Sequence, residues 1–237
     1  EALIVSGPYS TAEASPISGY FDDVQTCVSG AISSVLEPLP ISKRDMVPLN
    51  QLVTNEKDLK NLNSETIKVK VASLKDIELV QKVRDRIGFS TTIRVDCNGK
   101  FNLEEAIELS QKIKQYNIEY IEQPCKTIEE SARLRRKIDI PIALDESACT
   151  KKDIEEIKKI DAADIVVIKV QSSGGIHEAI NIIDFWGGEV VISSMMESQV
   201  GVDLGLALAK SINNLNYACG LMSSPIYNIA DKPFNVG

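Results

Sequence analysis

The sequence predicts an α/β fold with a parallel sheet, and two observations support this prediction. From Thr66 onward, short β-branched runs alternate with charged amphipathic stretches at least six times, which is typical of strands joined by helical crossovers. Five successive runs also carry or end in a charged residue. A closed barrel gathers the ends of all its strands around one cavity, whereas an open sheet collects ligands at one switch point. The sequence therefore favours a TIM-type (β/α)7β-like barrel.

The elements follow in order along the chain. Residues 1–60 are richer in proline than the rest of the chain and lack its regular alternation of strand-like and helix-like stretches. One helix is predicted there, over Val24–Leu36, before Pro38 and Pro40. Beyond them, apolar residues at helical spacing predict helices such as Leu103–Tyr116. The predicted strands are Thr66–Val71, Thr91–Asp96, Ile118–Glu122, Pro141–Asp145, Asp164–Lys169, Glu189–Ser194 and Asn216–Gly220.

Composition excludes several functions. The chain has 237 residues and a net charge of −8, which argues against binding to nucleic acid, because such proteins place Lys and Arg against phosphates. No apolar run is long enough to span a bilayer. The single histidine, His177, excludes a multi-histidine zinc site. Five cysteines without a CxxC pair favour reduced thiols and a cytoplasmic protein, with a cysteine nucleophile as the alternative.

Three carboxylates end consecutive predicted strands: Asp96, Glu122 and Asp145. Carboxylates that converge in a cavity repel one another unless a cation neutralises them. Because no His or Cys pattern accompanies them, they favour a hard divalent ion, first Mg²⁺, then Mn²⁺ and more distantly Ca²⁺. The alternative is that each caps the next helix or pairs with a lysine.

Three lysines complete the charged strand ends. Lys68 and Lys70 lie two apart on one strand and therefore point to the same side. Lys169 ends the fifth predicted strand, across a closed barrel from the first. A metal with lysines on opposite faces of its ligand suits removal of a proton α to a carboxylate, with the metal stabilising the enediolate. The alternative for Lys68 and Lys70 is a solvated edge strand.

Five motifs resemble successive barrel motifs of the enolase superfamily, muconate-lactonizing subgroup. They are Ile67–Lys70 (IKVK), Ile93–Asn98 (IRVDCN), Tyr120–Pro124 (YIEQP), Ala143–Ser147 (ALDES) and Ile168–Val170 (IKV) followed by Gly174-Gly175. Within the subgroup the sequence is most similar to the o-succinylbenzoate synthases. This similarity rests on Val47–Leu52 (VPLNQL), Glu122–Cys125 (EQPC), Val191–Ser194 (VISS), Glu197–Gly201 (ESQVG) and Ala218–Leu221 (ACGL).

The resemblance implies a lyase of menaquinone biosynthesis. It would dehydrate 2-succinyl-6-hydroxy-2,4-cyclohexadiene-1-carboxylate to 2-succinylbenzoate through an enediolate, with Mg²⁺ (or Mn²⁺) held by the three carboxylates. Lys70 would act as base and then as acid, Lys169 would stabilise the enolate, and Lys68 would tune Lys70. The resemblance also implies an N-terminal α+β capping domain, present here only in part as residues 1–60, with the barrel in residues 61–237.

Four further residues are candidates for substrate contacts: Asn98, Ser193, Ser194 and Gly220. Each could equally serve ordinary turn chemistry at a strand end. The expected partner is a small-molecule carboxylate, with no nucleic acid and no membrane, and the oligomeric state stays open. Two alternatives to the dehydratase remain. One is an N-acylamino acid racemase or dipeptide epimerase of the same superfamily, and the other is a non-catalytic homologue.

Overall fold

The computed structural model describes residues 2–18, 21, 23–222 and 234–235. The chain divides into two compact units. Unit 1 comprises residues 1–48, 149–154 and 167–237, and unit 2 comprises residues 49–148 and 155–166. Within the described ranges, no helix combines the length and apolar content that a bilayer crossing requires. The five cysteines, all described, form no disulfide, in line with the predicted reduced thiols.

Strands and helices alternate through most of the chain. The strands are β1 Leu3–Ser6, β2 Thr11–Ala14, β3 Gln51–Val53, β4 Thr66–Lys70, β5 Thr92–Asp96, β6 Ile118–Glu122, β7 Ile142–Leu144, β8 Ile165–Ile168, β9 Glu189–Ile192 and β10 Phe234–Asn235. The α-helices are α1 Val24–Leu36, α2 Ile77–Ile87, α3 Leu103–Ile113, α4 Ile128–Arg135, α5 Lys151–Ile160, α6 Ile176–Trp186 and α7 Gln199–Ser211. Three 3-10 turns cover Glu56–Asn61, Leu74–Asp76 and Lys114–Tyr116.

Unit 2 is built on parallel strands in chain order. Strand β3 pairs with β4, β4 with β5, β5 with β6, β6 with β7, and β7 with the first half of β8. Ile93, Val95, Ile121 and Ile142 are completely buried, as expected for parallel strands covered on both faces. Strand β3 was missed by the sequence analysis, because three residues are too few to show a strand period.

Helix α3 of unit 2 buries one apolar stripe. In α3, Ala106, Leu109 and Ile113 are buried at spacings of three and four residues, so they lie on one face. Asn102 and Glu105 form a capping box at the start of this helix. The predicted helix over 103–116 is confirmed as an α-helix to residue 113, followed by a 3-10 turn to residue 116. The chain then reverses at Asn117, whose φ is +49°, a left-handed conformation that ends the helix.

Unit 1 contains β1 and β2, which pair antiparallel, and α1, whose bounds match the prediction. Helix α1 packs closely against the turn before α6. A Cβ added to Gly30 would lie only 2.5 Å from the carbonyl carbon of Gly174, so glycine is needed at this position. The Ser34 hydroxyl oxygen accepts a hydrogen bond from the Ile176 amide at 3.0 Å. Ser34 therefore caps α6, whose own N-cap residue, Gly175, has no side chain to do so.

The second half of β8 and strand β9 also belong to unit 1, where the Ser193 amide donates to the Ile168 carbonyl at 2.9 Å. The strand predicted over 216–220 is wrong in extent, because only Cys219 and Gly220 form bridge pairs, Gly220 with Ser193. On its other side the Cys219 amide donates to the Pro48 carbonyl at 2.7 Å. Proline has no N–H with which to continue such a ladder, which limits this segment to isolated bonds.

Candidate active site

Strand β4 positions two lysines on the same side of the sheet. Lys68 and Lys70 are two residues apart, and their Nζ atoms lie 2.9 and 2.6 Å from the same atom, Oδ2 of Asp96. The Lys68 side chain is 11% exposed, whereas that of Lys70, at the end of the strand, is 34% exposed. Lys70 is therefore the more accessible of the two amines.

Strands β5 and β6 bring two predicted carboxylates together. Asp96 and Glu122 are cross-strand partners, and both are almost completely buried. Lys68 Nζ lies 2.8 Å from Glu122 Oε1 as well as 2.9 Å from Asp96 Oδ2. The buried ammonium group of Lys68 thus lies between the two carboxylates, so the lysine pairing that was the alternative to a metal site is present for these two acids.

The electrostatics of this cluster follow from burial and charge. Burial favours the neutral amine of Lys68, but attraction by Asp96 and Glu122 outweighs it, so the pKa of Lys68 lies well above its ordinary value. Burial also opposes ionisation of Asp96, yet Lys68 and Lys70 lower the pKa of that carboxyl. For Glu122, burial and repulsion by Asp96 prevail and raise the pKa. Lys68 therefore stays protonated, while Glu122 bears an unrelieved cost of ionisation.

The third carboxylate, Asp145, follows β7 and is also buried. Its charge adds to the repulsion that raises the pKa of Glu122. Gln123 holds the loop that carries Asp145, because its Oε1 accepts hydrogen bonds from the Asp145 amide at 3.0 Å and the Ser147 amide at 3.3 Å. Gln123 has a φ of +38°, a conformation that residues with side chains adopt rarely.

The donor chemistry of these three side chains fits a hard divalent cation. Asp96, Glu122 and Asp145 offer only carboxylate oxygens, the ligands that Mg²⁺ and Mn²⁺ prefer. A cation would relieve the repulsion that falls on Glu122. In the described part of the chain, no three or more His, Cys, Asp or Glu side chains come close enough to form a metal site as they stand. The metal set thus remains a prediction.

The side chain of Asn98 lies between Lys70 and Glu146. Its Oδ1 accepts a hydrogen bond from Lys70 Nζ at 2.7 Å, and its Nδ2 donates to Glu146 Oε1 at 2.8 Å. Glu146 and Gln123 are site residues that the sequence analysis did not select. The only available signal was their position directly after two predicted metal ligands, Asp145 and Glu122.

The remaining predicted residues lie in unit 1. Lys169 follows β8 and is buried. Ser193 and Ser194 are brought together with Gly220, whose carbonyl oxygen accepts a hydrogen bond from each hydroxyl at 3.2 Å. The Ser194 hydroxyl oxygen accepts a hydrogen bond from the Met222 backbone amide at 3.2 Å. These two serines therefore connect the end of β9 to the segment around residue 220, and their role towards a substrate stays a prediction.

Unit 1 also contains a buried polar cluster that the sequence analysis missed. Gln171 Nε2 donates to Glu197 Oε1 at 2.8 Å and to Ser15 Oγ at 3.0 Å. Glu13 Oε2 accepts from the Ser198 amide at 3.0 Å and from the Gly201 amide at 3.2 Å, at the start of α7. Burial raises the pKa of Glu197 to about 7, although the hydrogen bond from Gln171 opposes this and Lys169 also lowers it.

Comparison with known proteins defines the family to which this fold belongs. Residues 55–236 match the family model described as Enolase C-terminal domain-like. The solved muconate cycloisomerase from Pseudomonas fluorescens superposes with a TM-score of 0.82 at 17% identity, covering 93% of this chain and 85% of that chain. This likeness concerns the fold alone and confirms the predicted TIM-type α/β architecture. The protein is a member of the enolase superfamily.

Curated relatives narrow the assignment. An o-succinylbenzoate synthase of Thermobifida fusca (strain YX) is 34% identical over 98% of this chain and 78% of the relative's length. Another, from Mycolicibacterium smegmatis (strain ATCC 700084 / mc(2)155), is 32% identical over 96% of this chain and 74% of the relative's length. The chain belongs to the o-succinylbenzoate synthase family, and it is an enzyme, so the non-catalytic alternative is wrong.

A second solved structure bears on the alternative activity. The N-succinyl Arg/Lys racemase from Bacillus cereus ATCC 14579 superposes with a TM-score of 0.72 at 25% identity over 84% of this chain. The chain spans 59% of that racemase.

Proposed function

We propose that this enzyme dehydrates 2-succinyl-6-hydroxy-2,4-cyclohexadiene-1-carboxylate to 2-succinylbenzoate. The observation that carries the proposal is an accessible lysine, Lys70, beside a buried lysine–carboxylate cluster in a chain related to o-succinylbenzoate synthases. The reaction removes a proton from the carbon that bears the carboxylate, and hydroxide leaves from the neighbouring ring position. The two leave together as water, and the ring becomes aromatic.

Lys70 is the base in this proposal. It is one-third exposed, and its Nζ is held by Asp96 and Asn98, so a neutral amine there could accept the substrate's proton and return it to the departing hydroxide. Lys68 cannot take this role, because its ammonium group is buried between two carboxylates and stays protonated. Lys68 keeps the role that the resemblance implies, which is to tune Lys70.

The cofactor in this proposal is Mg²⁺, with Mn²⁺ as the alternative, held by Asp96, Glu122 and Asp145. Such an ion supplies stabilisation of the negative charge that develops on the substrate carboxylate. Lys169 retains the role that the resemblance implies, as the cation that stabilises the enolate. Asn98, Ser193, Ser194 and Gly220 remain candidates for orienting the substrate. A place in menaquinone biosynthesis and, from the unbridged cysteines, a cytoplasmic location are part of the same proposal.

The test is turnover of the cyclohexadiene substrate by the purified protein with Mg²⁺, with Mn²⁺ and after chelation. We expect turnover only with an added divalent ion, and we expect Lys70→Ala to lower kcat by about 100-fold or more. Lys82→Ala is the matched control, because Lys82 is another unit 2 lysine whose carboxylate partners, Glu56 and Glu78, lie on the surface. Turnover that survives chelation would contradict the metal-assisted mechanism.

A second activity is favoured by the likeness to the N-succinyl Arg/Lys racemase. Racemisation requires the same proton removal α to a carboxylate, followed by return of a proton to the opposite face. Incubation of N-succinyl amino acids in deuterium oxide would reveal this activity as exchange at the α-carbon. Exchange without dehydration of the cyclohexadiene would make the racemase the main activity.

A further inference from the structure

We propose that Asn98 is a positioning residue for Lys70, and that Glu146 holds Asn98 in the orientation that serves it. The inference rests on the proposed function of Lys70 as the base. It concerns three side chains of unit 2 that form a continuous chain of hydrogen bonds. Lys70 Nζ donates to Asn98 Oδ1 at 2.7 Å, and Asn98 Nδ2 donates to Glu146 Oε1 at 2.8 Å.

Two hydrogen-bond acceptors hold the amine of Lys70. A lysine side chain has four rotatable bonds, and a single partner would leave its amine free to sweep over a wide arc. Here Nζ has two acceptors, Asp96 Oδ2 at 2.6 Å and Asn98 Oδ1 at 2.7 Å. Two anchors define the position of the nitrogen, and in the neutral amine they leave its lone pair for the substrate's proton.

The neighbours of Asn98 also determine the orientation of its side-chain amide. An asparagine side chain can present either its oxygen or its NH₂ group to a neighbour. Only the oxygen can accept a hydrogen bond from Lys70 Nζ. In the reversed orientation, the NH₂ group of Asn98 would face Lys70 Nζ, so that two donors would meet. The carboxylate of Glu146 accepts only, so it selects the orientation in which Nδ2 faces Glu146 and Oδ1 faces Lys70.

The backbone of Asn98 adopts an unusual conformation. Its φ is +45°, in the left-handed region that glycine adopts without strain. The backbone N–H of Asn98 donates a hydrogen bond to Asp96 Oδ1 at 3.1 Å. This bond holds the turn against the end of β5. Asparagine is one of the few residues with a side chain that adopt this conformation routinely, so the turn can place Oδ1 and Nδ2 of Asn98 between Lys70 and Glu146.

The experiment compares Asn98→Gly with Asn117→Gly. Both residues are asparagines of unit 2 in the left-handed region, with φ of +45° and +49°, so glycine relieves the backbone equally in each. We expect Asn98→Gly to keep its melting temperature but to lower kcat by about 100-fold with little change in KM, as for a misplaced catalytic group. Asn117→Gly should match the wild type in kcat, KM and melting temperature.

Two further measurements separate positioning from structure. With substrate deuterated at the carbon that bears the carboxylate, the isotope effect on kcat should be larger for Asn98→Gly than for the wild type, because proton removal becomes slower. Glu146→Gln keeps an oxygen that can accept from Asn98 Nδ2 and should retain most of kcat. Glu146→Leu has no acceptor and should resemble Asn98→Gly, which also provides a second variant if Asn98→Gly does not fold.

The outcomes distinguish this inference from the proposed function. If the wild type turns over the cyclohexadiene and Asn98→Gly does so equally well, Asn98 has no positioning role and the inference is overturned alone. Equal losses of kcat in Glu146→Gln and Glu146→Leu would also overturn it, because the acceptor oxygen would then be irrelevant. A wild type that is inactive on the substrate overturns the proposed function and this inference with it.

Discussion

Glu197 is the side chain whose ionisation should govern the pH dependence of stability in unit 1. It is 2% exposed, and the Gln171 side-chain amide donates a hydrogen bond to it at 2.8 Å. Burial raises its pKa to about 7, and repulsion by the nearby carboxylate of Glu13 adds to this. The perturbation is Glu197→Gln, which has nearly the same shape and keeps an acceptor oxygen for Gln171.

The magnitude follows from the two pKa values. The pKa of Glu197 is about 7 in the folded protein, compared with an ordinary value of 4.5. Each unit of difference corresponds to about 1.4 kcal/mol, so the folded protein holds this proton more strongly than the unfolded chain by about 3 kcal/mol. This stabilisation is fully present below the unfolded value of 4.5. It is lost as the pH rises through about 7, because the folded protein must then ionise a buried group.

The assay is urea unfolding from about pH 5 to about pH 8 of the wild type, Glu197→Gln and Glu155→Gln. Glu155 is an exposed glutamate on α5 and serves as the matched control. We expect the free energy of unfolding of Glu197→Gln, relative to the wild type, to increase by up to about 3 kcal/mol over this range. The Glu155→Gln difference should stay constant. A Glu197→Gln difference that is independent of pH would refute the assignment of a raised pKa to this carboxyl.

Two further predictions concern the packing of α1 in unit 1. Gly30→Ala should lower the free energy of unfolding by about 1 to 3 kcal/mol, because its Cβ would lie 2.5 Å from the backbone of Gly174; Ser29→Ala, on the exposed face of α1, is the control, and equal stability of both variants in urea would contradict the prediction. Ser34→Ala should cost about 1 to 3 kcal/mol, because the Ile176 amide loses its buried acceptor. Hydrogen exchange should then become faster at the Ile176 amide, and unchanged exchange would show that Ser34 does not cap α6.

Much of the fold could be predicted from local patterns. Strands with β-branched runs and helices with an apolar stripe have periods that sequence alone displays, and α1 and β6 were predicted with their observed bounds. The prediction of two segments failed. Strand β3, which was not predicted, has only three residues. Of the strand predicted over 216–220, only Cys219 and Gly220 form bridge pairs. In both, the partner strand, rather than the local period, determines whether the segment is extended.

The sequence by itself determined the family, the strand–helix alternation and the side on which Lys68 and Lys70 project, because each depends on motif or on a period of two. The tertiary structure alone decided which groups meet. It placed Lys68 between Asp96 and Glu122, and it joined Glu13 to the Ser198 amide across 185 positions of the chain. Such contacts depend on strand register and on the path of loops. A local pattern specifies what a side chain is and which way it points, while its partner is set by how distant segments pack.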